Sequence, residues 1–406
     1  MFMNSIVHRV LFLAGLFAAL VQVAAADDRL AEVQKLIDEY ETAQTKFFEK
    51  KYPEKPTAEE TIRRYDEFPA WEYLPRFLKL AEAQPEDDAA YRCCEWILDR
   101  TYNVGNSAKA IFEIEQQAWD ILAAHHTQRG NLPQLCFRAT DYDGPAQQRF
   151  LRGLLEQPNL SRDYRGFATV ALAELLLQKM ELIEYRQSRP PAESAFEKHL
   201  QSRKAPDWGE DLLPENREAF KDESMRLFRV ALAEYADVPV GFSAPGFRNL
   251  KQLGDKAGRS LHALEHLTLG AQAPNIVGHD LQGDSLDLRD HQGKVVVISF
   301  WFTGCGPCMG LIPTEQRLVE TYKDRPFVLL GVSGDETAEQ ARKTAEEHGI
   351  TWPSWLDGKN GPIVRDWNVL GWPTTYILDK QGRIVAKNLP GEALEDKVKE
   401  LMDGMQ

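Results

Sequence analysis

The chain has 406 residues, 43% hydrophobic and 27% charged, a globular balance rather than a disordered one. Its formal net charge of −14 would be repelled by a phosphate backbone or an anionic lipid surface, so no nucleic-acid partner is expected. Beyond a short leader, the length fits two or three domains of roughly 150 residues each.

Residues 1–26 read as a secretory signal peptide. A short basic head (His8, Arg9) precedes an apolar stretch from Val10 to Val21, and "VAAADD" offers small residues for cleavage after Ala26. The apolar run stops at Gln22, short of the roughly 20 residues of a membrane span, which leaves an uncleaved anchor as the alternative. The expected location is periplasmic or otherwise exported.

Residues 27–269 are helical in pattern almost throughout. "LAEVQKLIDEYETAQTKFFEK", "LPRFLKLAEA", "FATVALAELLLQKMELIEY" and "ESMRLFRVALAEYA" repeat apolar residues at three- and four-residue spacing. Breakers such as "NLPQ", "QSRPPAE" and "YADVPVGFSAPG" separate them. Helix pairs on short polar turns predict an all-α bundle or solenoid. "ESMRLFRVALAEYADVP" is similar to the closing helix and proline of a tetratricopeptide unit, without a sustained 34-residue period.

From residue 270 the period changes. "KVVVISFWF" and "FVLLGVSGD" read as buried strands, and "TTYILDKQGRIVAKN" as a hairpin turning at "DKQG". Helical runs lie between and after them: "PCMGLIPTEQRLVETYKD", "ETAEQARKTAEEHG" and "GEALEDKVKELMDGM". This is an α/β layout over residues 270–406.

Five cysteines are too few for a disulfide scaffold. Cys93, Cys94 and Cys136 read as small core hydrophobes, with a bridge from Cys136 to Cys93 or Cys94 as the alternative. Cys305 and Cys308 sit in "FWFTGCGPCMG", between a strand and a helix. Zinc would need two further ligands, and His279, His291 and His348 are scattered. A purely structural bridge would close a tiny loop and restrain little. Redox chemistry fits the placement, because the unpaired N–H groups and the dipole of a helix start favour a thiolate at Cys305. A free thiol is only about 3% ionised at pH 7, so this matters. Cys305 is expected exposed and attacking. Cys308, one turn further in, is expected shielded and able to resolve a mixed disulfide. Pro307 is tolerated in the first turn, and Gly306 lets a substrate approach the backbone.

"FW" ahead of Cys-Gly-Pro-Cys, with "GWPTTYILDKQG" downstream, resembles the thioredoxin superfamily over Gly270 to Gln406. "GDSLDLRDHQGKVVVISFW" is similar to its exported TlpA-like reductases, related to redoxins. The resemblance implies a thioredoxin-like fold and thiol–disulfide oxidoreductase activity. It implies a cis Pro373 facing the cysteines and Trp372 docking substrate through its backbone, with Trp301, Gly306 and Pro307 completing the docking surface. The Gly-Pro spacer implies the reducing direction. The partners the resemblance implies are protein disulfides or thiols and a membrane-bound, thiol-reducing electron donor; no cofactor and no metal are expected.

Three positions depart from the family pattern. Gly304 replaces the tryptophan usual before the first cysteine. Ser299 stands where cytosolic thioredoxins have a buried strand aspartate, and Leu311 where TlpA-like proteins place a glutamate. Glu315, one turn beyond Leu311, reads by default as an edge residue in water, since glutamate is rarely buried unpaired, and alternatively as a displaced proton acceptor.

Two other chemistries compete. A peroxidase would carry Pro-x-x-x-Thr-x-x-Cys, but Phe302 stands three residues before Cys305 and Thr303 is one position out of register. "HALEH" (His262 to His266) matches an inverted zinc-protease pattern with no further ligand in clear register, and reads better as helix packing. A non-enzymatic alternative is a helical partner-binding protein with a redox-sensing appendage, because the helical region shows no catalytic constellation and offers a surface for another protein.

Overall fold

The computed structural model describes residues 27–50, 64, 67–103, 109–129, 131–140, 144–187, 211–241, 251–389 and 391–405. The signal peptide read in residues 1–26 lies outside them. The described chain forms two compact units: residues up to Leu175 with Asp211, and Leu176 onward with the residues from Leu212.

The first unit is helical. Helix α1 (27–49) buries Val33, Leu36, Tyr40 and Phe47, and α2 (Ala70–Ala83) buries Ala70, Tyr73, Leu74, Phe77, Leu78 and Ala81. Both spacings trace one stripe of a 3.6-residue period. That stripe packs on α3 (Asp88–Asn103), where Trp96 stacks on Phe77 at 3.7 Å and meets Tyr40 edge-on at 4.8 Å. Helices α4 (Lys109–His125), α5 (Leu132–Arg138) and α6 (Pro145–Glu156) follow, with Trp119 against Phe150 at 5.1 Å. Cys93, Cys94 and Cys136 are free and wholly buried here, so the structure holds no bridge among them. Burial pushes the Cys93 thiol up to about 12, which makes it an inert hydrophobe at neutral pH.

Helix α7 (Arg162–Gln187) spans 26 residues and is buried on all sides between Phe167 and Leu177. Its residues from Leu176 fall in the second unit, as do α8 (Arg217–Glu234) and α9 (Leu253–His266). Both α8 and α9 precede residue 270 and pack with the unit that carries the sheet.

That unit begins with a short antiparallel pair, β1 (Val277–His279) and β2 (Ser285–Asp287). Its main sheet has the order β5-β4-β3-β6-β7, from β3 (Val295–Trp301), β4 (Phe327–Ser333), β5 (Ser354–Leu356), β6 (Thr374–Leu378) and β7 (Ile384–Lys387). Strand β3 runs parallel to β4 and antiparallel to β6. The helices are α10 (Gly306–Tyr322), α11 (Ala338–His348), α12 (Pro362–Asp366) and α13 (Gly391–Asp403).

Strand β3 is buried along its whole length, and its period of two sorts the core. Val295 and Val297 join Ile312 and Leu318 of α10 with Leu394 and Val398 of α13. Val296, Ile298 and Phe300 join Leu267, just past α9, with Val364 of α12 and Trp367. The expected hairpin turns as read, with Asp379 Oδ1 accepting the N–H groups of Gln381 and Arg383, both at 2.9 Å. The result is a thioredoxin-like α/β fold with an active-site helix leaving the central strand.

Candidate active site

After Trp301 the chain turns through Phe302, Thr303 and Gly304 and places Cys305 at the N-cap of α10. Gly304 has φ +82°, a left-handed backbone that favours glycine over the tryptophan usual at this position. The Cys305 Sγ accepts the Cys308 backbone N–H at 3.2 Å. Cys305 and Cys308 are joined as a disulfide, with Cα atoms 5.2 Å apart.

The expected contrast in exposure is absent in this oxidised state: Cys305 is 5% exposed and Cys308 3%. Leu281, Trp301, Ala341 and Ala345 enclose the pair, and Phe302, Met309 and Trp372 pack against that cluster. Trp301, expected on the docking surface, is 3% exposed and forms part of this enclosure, so its side chain is not available to a partner. Gly306 and Pro307 are exposed at the helix start.

The Trp372–Pro373 peptide bond is cis. Trp372 meets Phe302 edge-on at 5.4 Å and is half-buried against the cysteine cluster. It also lies across Gly334, where a β-carbon would come 2.6 Å from the indole, so only glycine permits this approach. Lys359 Nζ sits 3.8 Å from the centroid of the Phe302 ring, adding a cation beside the loop that leads to Cys305.

A polar network that the sequence reading missed holds that loop. Asp335, 4% exposed just past β4, accepts the Thr303 N–H at 3.0 Å and the Ser333 hydroxyl at 2.9 Å. Thr303 Oγ1 lies 2.7 Å from Thr344 Oγ1 on α11. A hydroxyl held there is turned to the fold rather than presented to a peroxide. The only sequence signal was the polar "SGD" ending an apolar strand.

Glu315 is not an edge residue in water. It is 3% exposed on α10, and its Oε1 is buried without a hydrogen-bond partner. Burial pushes its carboxyl up to about 7, while the side chain of Ser299 offers a hydrogen bond that opposes the shift. Ser299 occupies the odd-numbered face of β3, toward α10, which explains why the two meet.

The His262 to His266 segment packs as a helix face. His262 Nε2 lies 3.1 Å from the Asp366 carbonyl, and Glu265 pairs with Arg229 at 2.9 Å. Among the described residues, no group of three or more His, Cys, Asp or Glu is arranged to hold a metal.

The profile of the AhpC/TSA family matches residues 269–387. The chain is 30% identical over 138 residues to the thiol-disulfide oxidoreductase ResA of Bacillus thuringiensis subsp. konkukian, covering 34% of this chain and 79% of that protein. It is 37% identical over 117 residues to the thioredoxin-like protein YneN of Bacillus subtilis, covering 28% and 68%. Among solved structures, the thioredoxin domain of a thiol-disulfide oxidoreductase from Bacteroides vulgatus shows 34% identity. That match covers 33% of this chain and 98% of the other, at TM-score 0.32. Through its C-terminal part, where the AhpC/TSA match lies, the chain belongs among the thiol–disulfide oxidoreductases similar to ResA.

Proposed function

We propose that this protein reduces polypeptide disulfides outside the cytoplasm through Cys305 and Cys308. The observation that carries the reading is the position of Cys305: an N-cap sulfur that accepts the Cys308 N–H, on the first turn of a helix. Unpaired N–H groups and the helix dipole stabilise a thiolate there.

The reduced pair works in two displacements. The Cys305 thiolate attacks one sulfur of the substrate disulfide, forming a mixed disulfide and releasing the first substrate sulfur, which takes up a proton. Cys308 then loses its proton and attacks Cys305 Sγ, releasing the second substrate thiol. Two electrons pass to the substrate, and the Cys305–Cys308 disulfide is the product. Glu315 accepts the Cys308 proton, and the Trp372–Pro373 segment docks the substrate backbone. Turnover requires a dithiol donor; in an exported protein this is a membrane thiol reductase. Export rests on the leader read in residues 1–26. No helix among the described residues is long and apolar enough to cross a membrane.

The test is a pair of serine variants expressed with the leader intact. Cys308→Ser attacks but cannot resolve, so it accumulates substrates through Cys305, visible as mixed disulfides on non-reducing gels. Cys305→Ser traps nothing and loses exchange activity. Trapping by Cys305→Ser alone would reverse the roles, and capture by neither would remove the reading.

A further inference from the structure

The β1–β2 hairpin turns on polar residues, with one exception. Asp280 Oδ1 accepts the N–H groups of Gln282 and Asp284, both at 2.9 Å, and Gly283 takes φ +95°. Leu281 stands inside this turn and is 3% exposed. Ile276, Leu286 and Leu288 join the core that holds Leu267 and Trp367, whereas Leu281 joins the cluster of Cys305 and Cys308. We infer that Leu281 is a positioning residue for the redox pair: pinned at the hairpin tip, it keeps water from the cysteine sulfurs and favours the disulfide over the ionised dithiol. The reduced pair is thereby a stronger electron donor. The inference deepens the reading that this pair is the protein's reducing centre, and rests on it.

The first support is how firmly the tip is held. The Leu281 N–H donates to the Ser354 carbonyl of β5 at 2.9 Å, and its own carbonyl accepts Arg342 Nη1 of α11 at 2.6 Å. Trp355 Nε1 donates to the Leu286 carbonyl at 3.1 Å and anchors the returning strand. A residue bonded through both main-chain groups to two other elements keeps its side chain in one place. The second support is the scarcity of polar groups around the sulfurs. Among the described residues, the Cys308 N–H is the only hydrogen-bond donor to either of them. Helix α11 gives the cluster only the methyl groups of Ala341 and Ala345, so Leu281 supplies the bulk of the apolar cover where α11 meets the hairpin. Thr344, between those alanines, bonds Thr303 instead.

Apolar cover acts on one redox state more than the other. Reduction adds two electrons to the disulfide and yields two thiols, one of which loses its proton at the helix start. The neutral disulfide loses little by contact with leucine. A thiolate there gives up hydration that only the Cys308 N–H replaces. Leu281 therefore penalises the reduced, ionised state. A dithiol whose reduced form is destabilised passes its two electrons on more readily; a strong oxidant is the reverse case, with its reduced form stabilised. The helix N-terminus and Leu281 thus oppose each other. The first makes Cys305 a nucleophile at neutral pH, and the second keeps that thiolate from becoming too stable to give up its electrons.

The experiment equilibrates the full chain with glutathione buffers and follows the thiolate of the reduced protein by its ultraviolet absorbance across pH 5 to 9. Leu281→Asn keeps the size of the side chain and admits water; Arg342→Met removes the bond to the Leu281 carbonyl. For Leu281→Asn the expected result is an equilibrium shifted about fivefold or more toward the reduced pair, with a thiolate fraction at pH 6 about threefold above wild type. Arg342→Met moves both in the same direction, although loss of a nearby cation would by itself lower the thiolate fraction. Lys343→Met makes the same change of charge on the adjacent, exposed residue of α11 and keeps both quantities near wild type. Misfolding of one variant leaves the other to decide. Equilibrium and thiolate fraction unchanged in the folded variants would make Leu281 ordinary packing and overturn the inference, as would a shift toward the disulfide. A fall in the thiolate fraction of Arg342→Met, or equal shifts in Lys343→Met, would assign the effect to charge and also overturn it. The readout needs no polypeptide, so the proposed function fails separately, on insulin reduction by the wild type.

Discussion

Glu315 stands seven positions after Cys308, on the same face of α10, buried against Ser299 of the central strand. A carboxyl held near 7 exchanges protons where thiol chemistry operates, which suits an acceptor for Cys308. If it has that role, Glu315→Gln loses the inflection near pH 7 in the rate of mixed-disulfide resolution and slows that step roughly tenfold or more at pH 7. Stopped-flow exchange across pH 5 to 9 measures this; an unchanged profile would make Glu315 structural. Stability provides an independent reading. The folded protein holds the Glu315 proton up to about 7, the unfolded chain only to 4.5. Between those values the folded state binds more protons, so wild-type stability falls as pH rises through that window and levels above it. Glu315→Gln removes the slope. Relative to wild type it gains stability from pH 4.5 to pH 7, by an amount on the order of 3 kcal/mol, read from denaturant melts at the two pH values.

At the scale of elements, the active-site loop is held from its neighbours rather than by its own sequence. Gly334 donates its N–H to the Trp301 carbonyl at 2.8 Å and gives room to Trp372, while Asp335 fixes Thr303. Asp335→Ala strands the Thr303 N–H and the Ser333 hydroxyl, costing about 1–3 kcal/mol. It also frees the turn into Cys305, so the Cys305–Cys308 reduction potential shifts, which an equal loss of stability at a distant site would not cause. Equilibration with glutathione buffers measures it; an unchanged potential would limit Asp335 to folding. This network explains what the sequence could and could not disclose. Long apolar strands such as β3, the hairpin at "DKQG", and the Cys-Gly-Pro-Cys turn announce themselves through period and turn chemistry. Three-residue β1, β2 and β5, and the five-residue α12, are too short to show a period. The burial of Trp301 and Glu315 depends on which residues from other elements cover them. Strand alternation predicts that Ser299 and Val297 share a face, but not that α10 lays a carboxylate on it.

The whole molecule raises the question of where the redox unit begins. Composition and period change near Leu269, yet the packing continues upstream. Leu267 is 2% exposed in the same core as Ile298, Phe300 and Leu330, and Ala263 of α9 packs against it. His262 Nε2 lies 3.1 Å from the Asp366 carbonyl, which ties α9 to the end of α12. A fragment of residues 270–406 keeps the sheet, both cysteines and Glu315, so it folds and exchanges disulfides with small substrates. It exposes the face that α9 covers. Uncovering the groups that pack on Leu267 alone costs about 2 kcal/mol, which lowers the melting temperature by roughly 5 °C relative to residues 212–406. The longer fragment retains α8 and α9 and melts higher, while lacking α7. Thermal unfolding of both fragments and the full chain, followed by exchange assays with insulin, separates the contributions. Equal melting temperatures for the two fragments would show that α9 is dispensable to the core and that the redox unit begins at Gly270, where the sequence pattern changes.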